Sequence, residues 1–272
     1  GVEIVTPWLW SGDDAPVISA RIRSIPLHLA LTLVLEDVDL TWDAAENVIA
    51  VGTPEFVRGF GAAARNVRQR RFQCRHERSD PARSLDESTT LEFIETPLED
   101  VAAYLSDLHA ATVVCVGSKS REHAITKNLK GLPLDWALAL MLIGDELDWV
   151  ADRHAIYVGS RDDIGSLTER AERRSQRREE HQMVLGEKLS ALVEISFIET
   201  PLEDVAGWLS TNSGLTVEAS NKQLAEMSVT MDAGKMPVDV GLDLLSVELG
   251  LEWEIARDGK ITITQRPKAE AK

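Results

Sequence analysis

The sequence predicts an α+β protein made of repeated small β-α-β-β-α-β-β modules in tandem, with charged or helical linkers between them. Three observations predict it. The decapeptide Phe93-Ile-Glu-Thr-Pro-Leu-Glu-Asp-Val-Ala102 recurs letter for letter as Phe197 to Ala206, 104 residues on, and self-similarity at a fixed offset marks repeated architecture. Pro97 and Pro133 lie 36 residues apart, as do Pro201 and Pro237, and the second proline of each pair precedes Trp149 or Trp253 by 16. Within each repeat the apolar period switches between the alternation of a strand and the spacing of a helix.

Each complete module opens on an alternating strand, Thr90 to Ile94 or Val193 to Ile198. A helix then starts at Thr96-Pro97-Leu98-Glu99 or Thr200-Pro201-Leu202-Glu203. These offer a capping hydroxyl, proline at the first helical position and glutamate at the third, which together satisfy free amides of a helix start. Leu98, Val101, Leu105 and Leu108 are expected to line its buried face. β-rich runs follow, Thr112 to Val116 and Leu215 to Ala219, then alternating Ala124 to Leu129 and Met227 to Met231. Pro133 or Pro237 starts a second helix, whose buried stripe in the first copy is Leu134, Ala137, Leu138, Met141 and Leu142. Two short strands close the module: Leu147 to Ala151 with Ala155 to Val158 across Asp152-Arg153-His154, and Leu251 to Ile255 with Ile261 to Thr264 across Arg257-Asp258-Gly259.

Residues 1–53 repeat only the second half of this pattern, since Pro26 precedes Trp42 by 16 and Ile49 follows Trp42 by 7, as Ile156 follows Trp149 by 7. That part is expected to be an incomplete module, with Gly1 a truncation point and the segment poorly folded alone. The opening Gly1-Val2-Glu3-Ile4-Val5 reads as a strand and not as an export signal. The division that follows is a partial module at 1–53, an arginine-rich linker at 54–88, a module at 89–160, a polar and helical linker at 161–191, a module at 192–267 and a tail at 268–272.

Composition bounds the function. The chain has 272 residues, 44% hydrophobic and 27% charged, which is folded protein and not a disordered tract. A net charge of −16 repels phosphate backbones and argues against general nucleic-acid binding. The most apolar stretches, Leu29 to Leu35 and Trp136 to Ile143, are far short of the roughly 20 residues a membrane-spanning helix needs. Cys74 and Cys115 have the spacing of neither a disulfide framework nor a zinc site, and are read as free thiols.

The module pattern resembles the short N-terminal domain shared by bacterial secretins and TonB-dependent receptors. The matching residues are Phe197, Pro201, Leu202, Val205, Leu209, Gly214, Leu215 and Val217, then Pro237, Leu242, Leu245, Gly250, Leu251, Trp253 and Ile261. In the first complete module Phe93, Pro97, Leu98, Val101, Leu105, Pro133, Ala137, Leu138, Leu142, Leu147, Trp149 and Ile156 take the same places, while Ala111 and Asp145 or Glu146 stand where glycines are expected. The resemblance covers more than two-thirds of the chain and implies two helices between two small sheets, a periplasmic location and a role in engaging other proteins in envelope secretion or signalling. Nothing in the sequence looks like a secretin pore domain or a receptor barrel, and tandem copies with charged linkers depart from both architectures.

Residues that could carry chemistry read better as structure. Glu99-Asp100 and Glu203-Asp204 suit a helix start, and neighbours on a helix point apart, unlike an acid–base pair. The histidines (His28, His76, His109, His123, His154, His181) are scattered, and Cys74-Arg75-His76 supplies only two metal ligands. Gly59-Phe60-Gly61 lacks the rest of any phosphate or dinucleotide motif. Trp42, Trp149 and Trp253 are expected in the core, and Trp8 and Trp10 in a loop. No catalytic, cofactor-binding or metal residue is assigned. The expected function is a non-catalytic, extracytoplasmic array that binds proteins or copies of itself. One alternative is a nucleic-acid or anionic-membrane tether acting through the arginine linker (Arg58, Arg65, Arg68, Arg70, Arg71, Arg75, Arg78, Arg83), although a linker that stays solvated or pairs with the acidic modules beside it is the favoured reading of that tract. Another is a non-catalytic part of a larger enzyme.

Overall fold

A computed structural model describes residues 3–5, 26–36, 38–45, 48–74, 80–180, 185–256 and 258–266. The fold is mixed α+β with several small sheets. Strand β1 (Glu3–Val5), helix α1 (Leu27–Glu36), β2 (Thr41–Ala45) and β3 (Val48–Gly52) form a first unit, in which β3 runs parallel to β1 and antiparallel to β2. Helices α2 (Pro54–Cys74) and α3 (Asp80–Ser84) lead to β4 (Ser88–Pro97), α4 (Leu98–His109), β5 (Val113–Val116), α5 (Ser118–Arg121), β6 (Ala124–Pro133), α6 (Leu134–Met141), β7 (Leu147–Ala151) and β8 (Ile156–Ser160). Helices α7 (Arg161–Glu180) and α8 (Gly186–Leu189) lead in turn to β9 (Leu192–Pro201), α9 (Leu202–Ser213), β10 (Thr216–Ala219), α10 (Lys222–Ala225), β11 (Ser228–Pro237), α11 (Val238–Leu249), β12 (Leu251–Ile255) and β13 (Lys260–Gln265).

The two longer units pair their strands alike. β4 and β6, and β9 and β11, make antiparallel two-stranded sheets, while β5-β8-β7 and β10-β13-β12 repeat the parallel-then-antiparallel order of β1-β3-β2. Helices α4 and α6 touch both sheets of their unit. Trp149 and Trp253 are buried in the core as expected, opposite Val158 and Ile263 across their hairpins.

Two local expectations are corrected. The helix starts form no capping box: Pro97 and Pro201 themselves are the N-caps, without a side-chain cap, and the helices begin at Leu98 and Leu202. The first amides are satisfied from the neighbouring turn instead, Leu98 N–H donating to the His123 carbonyl at 2.9 Å and Leu202 N–H to that of Met227 at 2.8 Å. The threonine hydroxyls turn back, Thr96 Oγ1 donating to the Ile94 carbonyl and Thr200 Oγ1 to that of Ile198. On α4, Leu98, Val101 and Leu105 are buried but Leu108 is exposed, and His109 takes the inward place with Nδ1 3.0 Å from Glu87 Oε2.

The glycine expected where Ala111 stands belongs one residue earlier. Ala110 caps α4 with φ 48°, the role Gly214 plays for α9 with φ 66°, and Glu146 at φ 52° occupies the place of Gly250 at φ 65°.

Residues 54–74 are not a solvated linker. Val57, Phe60, Ala63, Ala64 and Val67 form one buried stripe of α2 packed on α6, and the ring of Phe60 stacks on Trp136 with centroids 5.3 Å apart. Residues 161–180 repeat the arrangement: Ile164, Leu167 and Arg170 of α7 are buried against α11. These helices cover the outer faces of the sheets. Every residue of β3 is buried, as are Ile156 to Gly159 of β8, the continuous apolar pattern of strands covered on both sides. Ile156 and Val158 join the core of their own unit, whereas Tyr157 joins Val114, Val116 and Ala155 in the core of the next. Strand β13 differs: Ile261 and Ile263 are buried, while Lys260, Thr262 and Thr264 leave its outer face polar.

Candidate functional site

The densest charged cluster among the described residues lies where the two longer units meet. Helix α7 carries Arg170 and Arg174 toward α11 and β12. Arg174 Nη1–H donates to Asp243 Oδ2 at 3.2 Å, and its Nη2 lies 3.6 Å from Asp152 Oδ2 in the β7–β8 turn. Asp243 Oδ1 accepts from Trp253 Nε1–H at 2.8 Å, and Asp152 accepts from the Tyr157 hydroxyl. Arg170 Nη2–H donates to the Leu251 carbonyl at 2.8 Å and to Glu252 Oε1 at 3.1 Å. A second bridge joins α5 to α11: Arg121 Nη2 is 3.2 Å from Glu248 Oε1, and Gly117 N–H donates to Glu248 Oε2 at 3.1 Å.

Burial sets the electrostatics of this junction. It pushes the Asp243 carboxyl above the usual carboxylate range despite the pull of Arg174 and the Trp253 hydrogen bond, and it raises Glu248 despite Arg121. It lowers the Arg170 guanidinium, with Glu252 opposing, and holds the Tyr157 phenol well above its ordinary value. These groups pair with one another across the junction, so their chemistry is cohesion between units: buried charges that share several partners.

Beside the junction runs a groove of about 530 Å³, lined by α4, the edge of β5 and the β11 residues Asp232 to Gly234. Cys115 opens onto it, and burial pushes its thiol up to about 12, only partly offset by Arg121. The thiol is therefore protonated and a poor nucleophile.

A different arrangement occurs at the outer rims. In β4 the residues Ile94 and Glu95 together face Thr126 of β6, and in β9 Ile198 and Glu199 together face Thr230 of β11. Both are bulges in which the threonine hydroxyl accepts the glutamate N–H, at 2.9 Å and 3.0 Å. Glu95 and Glu199 have φ of 49° and 48°. The bulge turns both side chains outward, and Ile94 and Ile198 are 73% and 80% exposed.

The residues singled out in the sequence are dispersed. Glu99, Asp100, Glu203 and Asp204 are exposed in first helical turns, with Glu99 3.9 Å from Arg121. Gly59-Phe60-Gly61 lies inside α2, where Gly59 passes close to Ile143. His123 sits 3.6 Å from Asp145, and His154 Nε2 accepts from Arg153. Among the described residues no group of three or more His, Cys, Asp or Glu side chains could hold a metal ion. Trp8, Trp10, Arg75, His76, Arg78 and His181, and the side chains of Arg68, Arg70, Arg71 and Cys74, lie outside what the structure describes. The sequence reading missed Arg121, Arg170, Arg174, Asp243 and Glu248. The signal of Arg170 and Arg174 was an i,i+4 pair of arginines on a polar helix, indistinguishable from a solvated face without knowing what α7 packs on.

No described helix is long and apolar enough to cross a membrane. No family model matches the chain, and no curated protein does either.

Proposed function

We propose that the chain is a non-catalytic, extracytoplasmic array of tandem modules similar to the short N-terminal domain of secretins and TonB-dependent receptors, and that it binds proteins or further copies of itself at the bacterial envelope. The two complete modules correspond to β4–β8 and β9–β13, and the second half of a third to β1–β3. The observation that carries the reading is the burial of Tyr157, Val114 and Val116 in the following unit's core. That burial makes neighbouring units one stack, and a stack holds its outward surfaces at fixed spacing. Small sheets that keep an unpaired edge among the described strands suit partner-strand addition, and repeated surfaces raise avidity. The buried stripe Val57, Phe60, Ala63 and Val67 weighs against the arginine-rich stretch serving as a free tether.

Affinity capture tests this, with the whole chain as bait against separated envelope and cytosol fractions of the source cell, with and without nuclease, read by mass spectrometry. Recovery of a nuclease-resistant envelope protein, or of the bait's own parent, is expected. Recovery only of cytosolic proteins that disappear with nuclease would overturn both the location and the role.

A further inference from the structure

The repeated decapeptide is identical on its surface as well as in its core. Phe93, Leu98, Val101 and Ala102 are buried, and packing explains why Phe197, Leu202, Val205 and Ala206 match them. Packing does not explain the exposed matches Ile94/Ile198 and Glu95/Glu199, and a helix start favours acids without fixing which, as at Glu99/Glu203 and Asp100/Asp204. Surface positions tolerate most substitutions, and other exposed pairs at the same offset have diverged: Thr90/Glu194, Glu92/Ser196, Asp107/Thr211 and Ser118/Lys222.

Two features of the bulges point the same way. A large aliphatic side chain stands mostly in water at the same place in each of the two longer units. The glutamate beside it holds a left-handed backbone, which glycine would adopt without strain. A carboxylate is thus kept twice at a position where its backbone is strained, the kind of local cost that collects at functional surfaces.

Resting on the array reading above, we propose that Ile94 and Glu95 with Glu99 and Asp100, and Ile198 and Glu199 with Glu203 and Asp204, are two copies of one docking epitope for an extended, arginine- or lysine-bearing segment of a protein partner. The isoleucine seats in an apolar notch of the partner, and the three carboxylates of each copy face its cations. The charge of the epitope selects a basic partner. Its strand selects an extended one: among the described strands β4 pairs only with β6 and β9 only with β11, so each keeps a second edge for an added strand. Two epitopes of the same sequence on one stack let a partner with repeated basic segments bind both at once.

The test uses the whole chain and two labelled twelve-residue peptides, one alternating arginine with valine and one alternating glutamate with valine, followed by fluorescence anisotropy at low and at physiological salt. The arginine peptide should bind at least tenfold more tightly than the glutamate peptide. Ile94→Ser/Ile198→Ser and Glu95→Gly/Glu199→Gly should each weaken it about tenfold. The glycine variant should melt no lower than the parent, which separates lost binding from lost folding. Equal binding of the two peptides, or unchanged affinity in both double variants, overturns the epitope. The array reading is judged separately: an envelope protein captured equally by the parent and by Ile94→Ser/Ile198→Ser leaves the array standing and removes the epitope.

Discussion

Arg174 on α7 reaches Asp243 on α11 at 3.2 Å, while the corresponding places at the preceding junction are taken by Val67 and Ala139. The two linking helices align through their buried residues, Val57 with Ile164, Phe60 with Leu167, Ala63 with Arg170 and Val67 with Arg174. On the helices they meet, Trp136 aligns with Val240 and Ala139 with Asp243. One packing scheme is therefore filled with aromatic and aliphatic side chains at the first junction, and at the second sets the ions Arg170, Arg174 and Asp243 beside Ile164, Leu167 and Val240. An α7 placed on α6 would bury two guanidinium groups against Ala139, so the substitutions fix which linking helix serves which unit, a use of buried charge for specificity and not for stability.

Breaking one side of that pair should cost far more than replacing both. Asp243→Ala and Arg174→Val alone are each expected to destabilise by about 3 kcal/mol, because a buried charge loses its closest charged partner and keeps only Asp152 or Trp253. The double variant, which copies the first junction, should cost at least about 1 kcal/mol less than the sum of the singles. Urea unfolding of the four chains measures the coupling. Strict additivity would mean that the two side chains do not act as a pair.

At the first junction the weight falls on Phe60. Its ring is fully buried and stacked on Trp136, so Phe60→Ala should cost about 3–5 kcal/mol while Phe60→Leu, the residue type found at 167, costs about half of that or less. Thermal melting followed at the tryptophan fluorescence checks both. A Phe60→Ala loss below about 1 kcal/mol would show that α2 is held elsewhere.

Much of this architecture was legible because local spacing encodes it. Of the three tryptophans fixed by their distance from a proline, Trp149 and Trp253 proved to be core while Trp42 is only partly buried, and Gly1 to Val5 read as a strand that β1 in part fills. The misreadings have one physical source, that a residue's neighbours across a junction are not written beside it. The stripe Val57, Phe60, Ala63, Ala64 and Val67 has helical spacing, but arginines around it gave the segment the composition of a solvated linker. Leu108 fits the apolar period of α4 yet is exposed, because His109, buried and held by the exposed Glu87, occupies the inward place. The short helices α5 and α10 carried no readable period at four residues each. The bulges were hidden because Ile94 and Glu95 continue a strand-like pattern; only the positive φ of Glu95 reveals the turn outward.

The junction carboxylates should respond to pH in the unusual direction. Asp243 and Glu248 are raised above the ordinary carboxylate value by burial, so the folded chain holds their protons more tightly than the unfolded chain. Their contribution to stability is full below the unfolded value of about 4 and is lost as pH rises through the folded values. Relative to Asp243→Asn/Glu248→Gln, the parent chain should gain stability between pH 7 and pH 5, read as a rising difference in urea midpoint. A falling difference would mean that Arg174 and Arg121 outweigh burial.

Ala110 and Glu146 stand in left-handed backbone where the last unit uses Gly214 and Gly250. Strain of about 1–2 kcal/mol for a side chain in that region exceeds the unfolded-state entropy that glycine adds. Ala110→Gly and Glu146→Gly should each stabilise by about 0.5–1 kcal/mol, and Gly214→Ala should destabilise by a similar amount. Thermal midpoints of the three single variants decide it, and a lower midpoint for both glycine variants would refute the strain.

Cys115 should be inert while the chain is folded. With its thiol pushed up to about 12, about one molecule in ten thousand is a thiolate at pH 8, against roughly a quarter for an ordinary cysteine. In a Cys74→Ser background, iodoacetamide at pH 8 should leave the intact mass unchanged over a time that fully alkylates a free-cysteine standard. Adding urea should then let one adduct form. Because desolvation on the β5 edge is the largest cause of the shift, loosening the junction with Glu248→Ala should speed alkylation without urea, as water reaches the groove and Arg121 is freed to stabilise the thiolate. Equal rates in the parent and Glu248→Ala would show that α4 and β5 alone shield the sulfur, and rapid alkylation of the parent would show that the groove is open to water at the thiol.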